Sequence, residues 1–188
     1  REKELGGNLK EALYTLKGSN PQTLLQDLVK KVKNHGSIHL YKEAEILGFE
    51  KKNGTYKTKI RHQNEEKILN HGALILATGG KEITPKGYLY GQDERVITQR
   101  QLEKMILHKD EKLKAVNSVV MIQCVGSRDE EHPYCSRICC SHAVKNGLKL
   151  KEINPGSNVY VLYRDVRTYG FYETYYHEAR GKGIIFIR

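Results

Sequence analysis

The spacing of apolar and polar positions divides the chain into a helical start, a β-rich middle and an α/β end. Leu24, Leu25, Leu28, Val29 and Val32 recur at helical intervals and predict a helix over 22–34. Pro21 suits its first turn, and Ser19 or Asn20 is its candidate N-cap. Upstream, Leu5-Gly6-Gly7-Asn8 reads as a glycine turn opening a helical stretch. Residues 37–41 and 44–49 have strand patterning, and Lys52-Asn-Gly-Thr55 predicts a hairpin, because Asn-Gly tolerates the positive φ angles of a tight β-turn. Residues 56–62 alternate as the returning strand, and 66–69 offer another. Ala73–Ala77, followed by Thr78-Gly79-Gly80, predicts a buried strand ending in a glycine turn, with a loop over 83–91. Leu102, Met105 and Ile106 predict a helix over 98–108, and the charged run 109–114 marks a boundary. From Ser118 the order is strand (118–122), cysteine-bearing loop, helix (140–152), Asn154-Pro-Gly156 turn, strand (159–163), helix (171–180) and strand (184–187). That order predicts a parallel sheet with crossover helices.

The apolar runs are strand-length, well short of the ~20 residues that cross a bilayer. Arg1-Glu2-Lys3-Glu4 is charged and no apolar stretch follows, so no signal peptide is visible, and Arg1 in place of methionine suggests a piece of a longer protein. The formal charge is +10, from 32 Lys+Arg and 22 Asp+Glu. The basic residues are spread along the chain, which favours a solvated basic face over a nucleic-acid or membrane surface. No Ser-His-Asp or paired-carboxylate pattern is present, so no catalytic acid–base residue is assigned.

Candidate chemistry centres on Cys124, Cys135, Cys139 and Cys140, the only four cysteines of the chain. A secreted disulfide framework would spread its cysteines to close long loops; this bunching points instead to a metal or redox site in a reducing, cytoplasmic setting. Four thiolates suit zinc or an iron–sulfur cluster. Adjacent Cys139-Cys140 is awkward around one tetrahedral ion, whereas neighbouring cysteines can reach different corners of a cubane. Zinc and a redox dithiol remain alternatives, with His132 and His142 as substitute ligands. Arg128, Arg137 and Lys145 flank the loop and can offset cluster charge. The loop follows the first strand of a β–α–β unit, where a dinucleotide domain carries G-x-G-x-x-G, but here the turn reads Gln123-Cys-Val-Gly-Ser-Arg128. The three-glycine pattern is missing, which argues against an NAD(P)H-dependent reductase and for a metal centre at the carboxyl end of the sheet.

Two features suggest FAD. Gly6, Gly7 and Asn8 form a turn where backbone can pass close to a flat ligand. Ala77, Thr78 and Gly79 place small residues and backbone N–H groups at the end of the expected buried strand.

Gly6-Gly7, the β-meander, Ala77-Thr78-Gly79, Val96-Ile-Thr-Gln99 and a second Rossmann-like strand, in that order, resemble the flavoprotein disulfide reductases, including thioredoxin reductase. Val119–Arg128, Pro133–Cys140 and Tyr160–Glu173 resemble the heterodisulfide reductase A-subunit family more specifically, and the resemblance spans essentially the whole chain. It implies an α/β fragment of a thioredoxin-reductase-like flavoprotein with two dinucleotide domains, combining a β-meander with a Rossmann-like parallel sheet. Residues 1–112 would be a partial FAD-binding domain. Residues 113–188 would be a partial Rossmann-like NAD(P)-type domain carrying the cysteine loop. It implies that Cys124, Cys135, Cys139 and Cys140 ligate a [4Fe–4S] cluster, and that electron pairs on FAD pass singly through iron–sulfur clusters toward ferredoxin and heterodisulfide partners in a multi-subunit complex. The family's first strand and glycine loop would precede Arg1, so the piece alone is expected to be inactive. The C-x-x-C pair of thioredoxin reductase is absent at Ala115-Val-Asn117, which disfavours a direct dithiol mechanism. Arg164 and Arg167 are candidates for structural salt bridges or for contacts with a partner, the cluster or the flavin, and Tyr169, Phe171, Tyr172, Tyr175 and Tyr176 are expected to pack in the core rather than form an interface.

Overall fold

A computed structural model describes residues 2–188 as a mixed α/β chain in two compact units. The first comprises residues up to Ala12 together with Pro21–Lys81; the second comprises Leu13–Asn20 and Glu82–Arg188.

In the first unit, a 3-10 turn over Gly7–Glu11 precedes α1 (Pro21–Asn34). The Gln22 amide fastens the two together, donating to the carbonyls of Leu9 at 2.9 Å and Ala12 at 2.6 Å. The antiparallel meander β1 (Glu45–Lys52), β2 (Thr55–His62) and β3 (Glu65–His71) follows. The Asn53-Gly54 turn takes φ values of 50° and 78°, as the expected hairpin requires, and a register shift between Ile46 and Gly48 interrupts the β1–β2 ladder. Two sequence expectations fail here. Residues 37–41 form no strand, and Ala73–Gly80 is exposed, irregular chain. The run Ala73–Ala77 is apolar enough to be buried, but among the described residues no β-strand pairs with it, and an extended segment without a ladder partner has nowhere to place its backbone hydrogen bonds except water.

The second unit is the α/β end as expected. β4 (Ser118–Ile122), β5 (Asn158–Leu162) and β6 (Ile184–Ile187) form a parallel sheet in that order. α3 (Cys139–Ile153) connects β4 to β5 and α4 (Glu173–Gly181) connects β5 to β6. α2 (Gln99–Leu107) begins on a capping box, in which Thr98 Oγ1 accepts from the Gln101 N–H and Gln101 accepts from the Thr98 N–H. The core joins Leu102, Ile106 and Leu113 to Met121, Val144, Leu150, Val159 and Ile184. The boundary read from the charged run at 109–114 therefore lies inside this unit, with α2 packed beside α3.

A polar cluster is built into this core. Glu103 is buried on α2 and its carboxylate accepts from Lys145 Nζ at 2.7 Å and from the backbone N–H of Leu13 at 2.8 Å. Lys145 also donates to the Tyr14 carbonyl at 3.0 Å and stands over the Tyr14 ring at 4.3 Å. The Tyr14 hydroxyl donates to Asn146 Oδ1 at 2.6 Å; burial and the Glu103 charge hold that phenol protonated by raising its pKa. Lys145 thus ion-pairs inside the unit and does not flank the cysteine loop as a free cation. Of the five aromatics expected in the core, Tyr175 and Tyr176 are half-buried, whereas Tyr169, Tyr172 and Phe171 (96 % exposed) face solvent. The glycine-led turn Gly170–Tyr172, with φ of 64° at Gly170, carries Phe171 away from the sheet.

Candidate metal centre

β4 ends at Ile122, and the chain then enters the loop that carries the first two cysteines. Cys124 has φ of 61° and Gly126 φ of 68°, and the Ser127 N–H donates to the Cys124 carbonyl at 3.2 Å, so the backbone reverses at once. Such turns present successive N–H groups to one side, a geometry that suits anions, thiolates among them. The following loop closes on itself: the Arg128 N–H bonds to the His132 carbonyl at 2.7 Å, and the His132 N–H to the Asp129 carboxylate at 2.7 Å. Cys135 accepts from the Arg137 N–H at 3.2 Å, with Arg137 at φ of 60°. α3 then starts at Cys139, and its N-cap Ile138 supplies no side-chain bond. At the positive dipole end of α3 the Cys140 N–H adds to the donors that favour an anionic Cys139 sulfur.

Cys124, Cys139 and Cys140 interact with one another. The Cys140 thiol and the Cys124 backbone N–H hydrogen-bond to Cys139, with help from Ser136, and pull its pKa down from 9.0 to about 5. Cys140 moves the opposite way, because it donates to Cys139 and is buried. Its sulfur also lies 3.6 Å from the Asp165 carbonyl. In the metal-free loop, then, Cys139 is the thiolate and Cys140 holds the proton.

The segment after β5 forms the rim. Arg128 bridges the Asp165 carboxylate, at 2.7 Å, and the Cys124 sulfur, and both contacts raise its pKa. Arg164 donates to the Arg128 carbonyl. Asp165 is held ionised first by Arg128 and then by the charges of Arg188 and Arg167. Sequence reading placed Arg128 near the cysteines but missed Ser136 and Asp165, for which no spacing signal exists. His142 is not among the thiols' partners: its Nε2 lies 3.6 Å from Glu103, and burial lowers its pKa.

Among the described residues no group of three or more His, Cys, Asp or Glu side chains stands at metal-holding geometry. The donor set nevertheless fits thiolate-ligated iron in kind: two cysteines on the loop and two in the first turn of α3, one of them held as a thiolate, with N–H donors and an arginine beside them. Thiolates repel one another without a cation, so ligand convergence and metal binding are coupled.

The flavin candidates lie in the first unit. The Asn8 side-chain amide donates to the Gly80 carbonyl at 2.7 Å, which brings Gly6-Gly7-Asn8 beside the segment of Ala77, Thr78 and Gly79. Gly6 has φ of 120°, and a Cβ there would stand 2.9 Å from Leu25 Cδ1, so packing on α1 already requires glycine. Gly7 and Gly79, with φ of 47° and 67°, have open space where a side chain would be.

No family model matches the chain. Among curated proteins it is 40 % identical over 147 residues to the A subunit of the H(2)/formate:CoB-CoM heterodisulfide,ferredoxin reductase of Methanococcus maripaludis, covering 69 % of this chain and 22 % of that protein. It is 40 % identical over 140 residues to the iron-sulfur A subunit of the CoB–CoM heterodisulfide reductase of Methanocaldococcus jannaschii, covering 66 % and 21 %. It is 34 % identical over 168 residues to the A subunit of the ferredoxin:CoB-CoM heterodisulfide reductase of Methanosarcina acetivorans, covering 67 % and 21 %. The chain spans about a fifth of the length of these curated relatives.

Proposed function

The chain belongs with the heterodisulfide reductase A subunits, and we propose that it is the part of such an oxidoreductase that holds one [4Fe–4S] cluster on Cys124, Cys135, Cys139 and Cys140 and contributes to an FAD site through Gly6, Gly7, Asn8, Ala77, Thr78 and Gly79. Its two units are then portions of a thioredoxin-reductase-like pair of dinucleotide domains, the second adapted to a metal centre. FAD supplies two-electron exchange and the cluster one-electron transfer. The chain's own residues place and tune. The N–H groups at Cys124 and at the start of α3 favour anionic sulfur, and Arg128 offsets its charge. Glu103 and Lys145 lock α3, whose first turn carries two of the ligands, to α2.

The observation that carries this reading is the contact among Cys124, Cys139 and Cys140, with Cys139 poised as a thiolate, in a chain whose relatives include an iron-sulfur subunit by name. The partners follow from the same kinship: other subunits of a heterodisulfide-reductase-like complex, and ferredoxin, which several relatives carry in their names. No described helix is long and apolar enough to cross a membrane. Anaerobic isolation with metal, sulfide and flavin analysis tests the reading. About four irons and four sulfides per chain are expected, with loss of both on Cys139→Ser or Cys124→Ser. Zinc without sulfide would overturn it.

A further inference from the structure

Gln123 lies one residue before the first candidate ligand and is 7 % exposed. Its backbone N–H donates to the Leu162 carbonyl at 2.9 Å, which extends the β4–β5 ladder by one residue and fixes its register. Strand alternation puts Gln123 on the face of Met121, and Met121 packs in the core with Ala143, Val144 and Leu148 of α3. In a β–α–β unit the helix runs back along the sheet, so the first turn of α3, with Cys139 and Cys140, lies over the carboxyl end of β4, where Gln123 is. The Cys140 sulfur, 3.6 Å from the Asp165 carbonyl just beyond β5, stands at the same end of the sheet.

The side-chain amide of Gln123 has no partner: both Nε2 and Oε1 are buried and unbonded. Leaving a buried amide unpaired costs ~1–3 kcal/mol per group, and such orphans in native proteins have a reason. Whichever way the amide is turned, its NH2 end is without an acceptor. Beside the cysteine sulfurs the acceptors at this end of the sheet are those of Asp165, and they are engaged: its carboxylate by Arg128 and its carbonyl by the Cys140 thiol.

We propose that Gln123 is a positioning and tuning residue whose NH2 group donates to a sulfur of the group bound in the cysteine loop. The inference rests on the cluster reading above and adds to it a residue that is not a ligand. A neutral donor to sulfur favours the more negative, reduced state, so Gln123 raises the reduction potential. Its own contribution to the fold in the metal-free state is unfavourable, because no contact there repays the buried amide.

Gln123→Met keeps the volume and removes the donor. In the anaerobically isolated protein this variant retains iron and sulfide at the level of the parent. Its cluster is reduced at a potential lower by about 28 mV, an approximately threefold change in the one-electron equilibrium at ~59 mV per tenfold, read by electron paramagnetic resonance during a redox titration. Its metal-free form melts at or above the temperature of the parent. Gln123→Glu, which replaces the donor by an acceptor of the same shape, shifts the potential in the same direction and further. Potentials unchanged in both variants, or a Gln123→Met protein whose metal-free form melts lower, would make Gln123 structural and overturn the inference while leaving the cluster in place. A parent protein without iron and sulfide would overturn the cluster reading itself, and the inference with it.

Discussion

In the antiparallel meander of the first unit, Ile46, Phe49 and Ile68 are 64, 63 and 63 % exposed, whereas in the parallel sheet of the second, Met121, Val159 and Val161 are 3, 0 and 2 % exposed. The meander is specified locally. Asn53-Gly54 closes one hairpin, Gln63 and Asn64, both at positive φ, close the next, and the ion pairs Lys59–Glu66 and Arg61–Glu45 pin the register at the surface. The parallel sheet has no such local closure. Each of its connections needs a helix, and those helices bring the apolar cover that makes the core. Catalytic and binding groups need rigid support, and the candidate metal centre stands on the packed unit, at the carboxyl end of its sheet. The flavin candidates stand on the unit whose meander strands bury only Thr58 and Ile60, although the parallel sheet too leaves the face of Val120, Ile122, Ile185 and Ile187 exposed.

The largest expected effect strikes the buried pair that holds α3. Lys145→Ala leaves the Glu103 carboxylate inside the core without its cation, a change of ~3–5 kcal/mol. Denaturant unfolding of the second unit is expected to lose that much, while the joint replacement Glu103→Gln with Lys145→Met costs distinctly less, since two neutral groups of similar size remove the stranded charge. Equal losses in the single and joint variants would mean that the pair is not buried as a unit. Next in size is a matched pair of truncations. Leu150→Ala, in the core, is expected to cost ~2–5 kcal/mol, and Ile68→Ala, on the open meander, less than ~0.5 kcal/mol. A large loss at Ile68 would show that the exposed face of the meander is covered in the protein as isolated, and would erase the contrast between the units.

The sequence made these two units legible to different degrees. Every α-helix and strand after residue 98 was readable, because period-3.6 and strand-length apolar runs alternate there and the packing they imply is available within the chain, whereas the charged run 109–114 hid a 3-10 turn over Glu111–Lys114. The hairpin at Asn53-Gly54 was equally plain. Ala73–Ala77 read as a buried strand and is not one, because apolar composition states a capacity for burial and cannot supply a neighbouring strand. The Glu103–Lys145 pair was hidden. Lys145 between Val144 and Asn146 looks like a surface lysine, and only its place on the inner face of α3, between Ala143 and Leu148, signals burial. At the candidate centre the four cysteines were visible as a set. Their inequality was not, since it arises from the Cys124 N–H, Ser136 and the start of α3, contacts that spacing does not encode. Gln123 carries no signal of its own within the turn motif, for an orphaned amide exists only once the strand's face is known.

The smallest effect at neutral pH belongs to Cys139, and it discriminates through its pH profile. In the metal-free folded protein its pKa of about 5, against 9.0 for an ordinary thiol, raises the thiolate fraction at pH 7 by roughly a hundredfold. The intrinsic nucleophilicity of a thiolate falls with its pKa at a slope of ~0.4–0.5, which over this shift takes back about 40- to 100-fold. Alkylation of Cys139 at pH 7 is therefore expected to run within a few-fold of the same cysteine in the urea-unfolded chain. Between about pH 6 and 8, however, the folded rate is flat, because Cys139 is ionised throughout, while the unfolded rate climbs roughly tenfold per pH unit. Peptide mapping after brief alkylation at several pH values reads both. Folded-state labelling at Cys139 that rose with pH as steeply as in urea would mean that the Cys124 N–H and the Cys140 thiol do not hold a thiolate there, and the carboxyl end of the parallel sheet would not be prepared for a metal before one arrives.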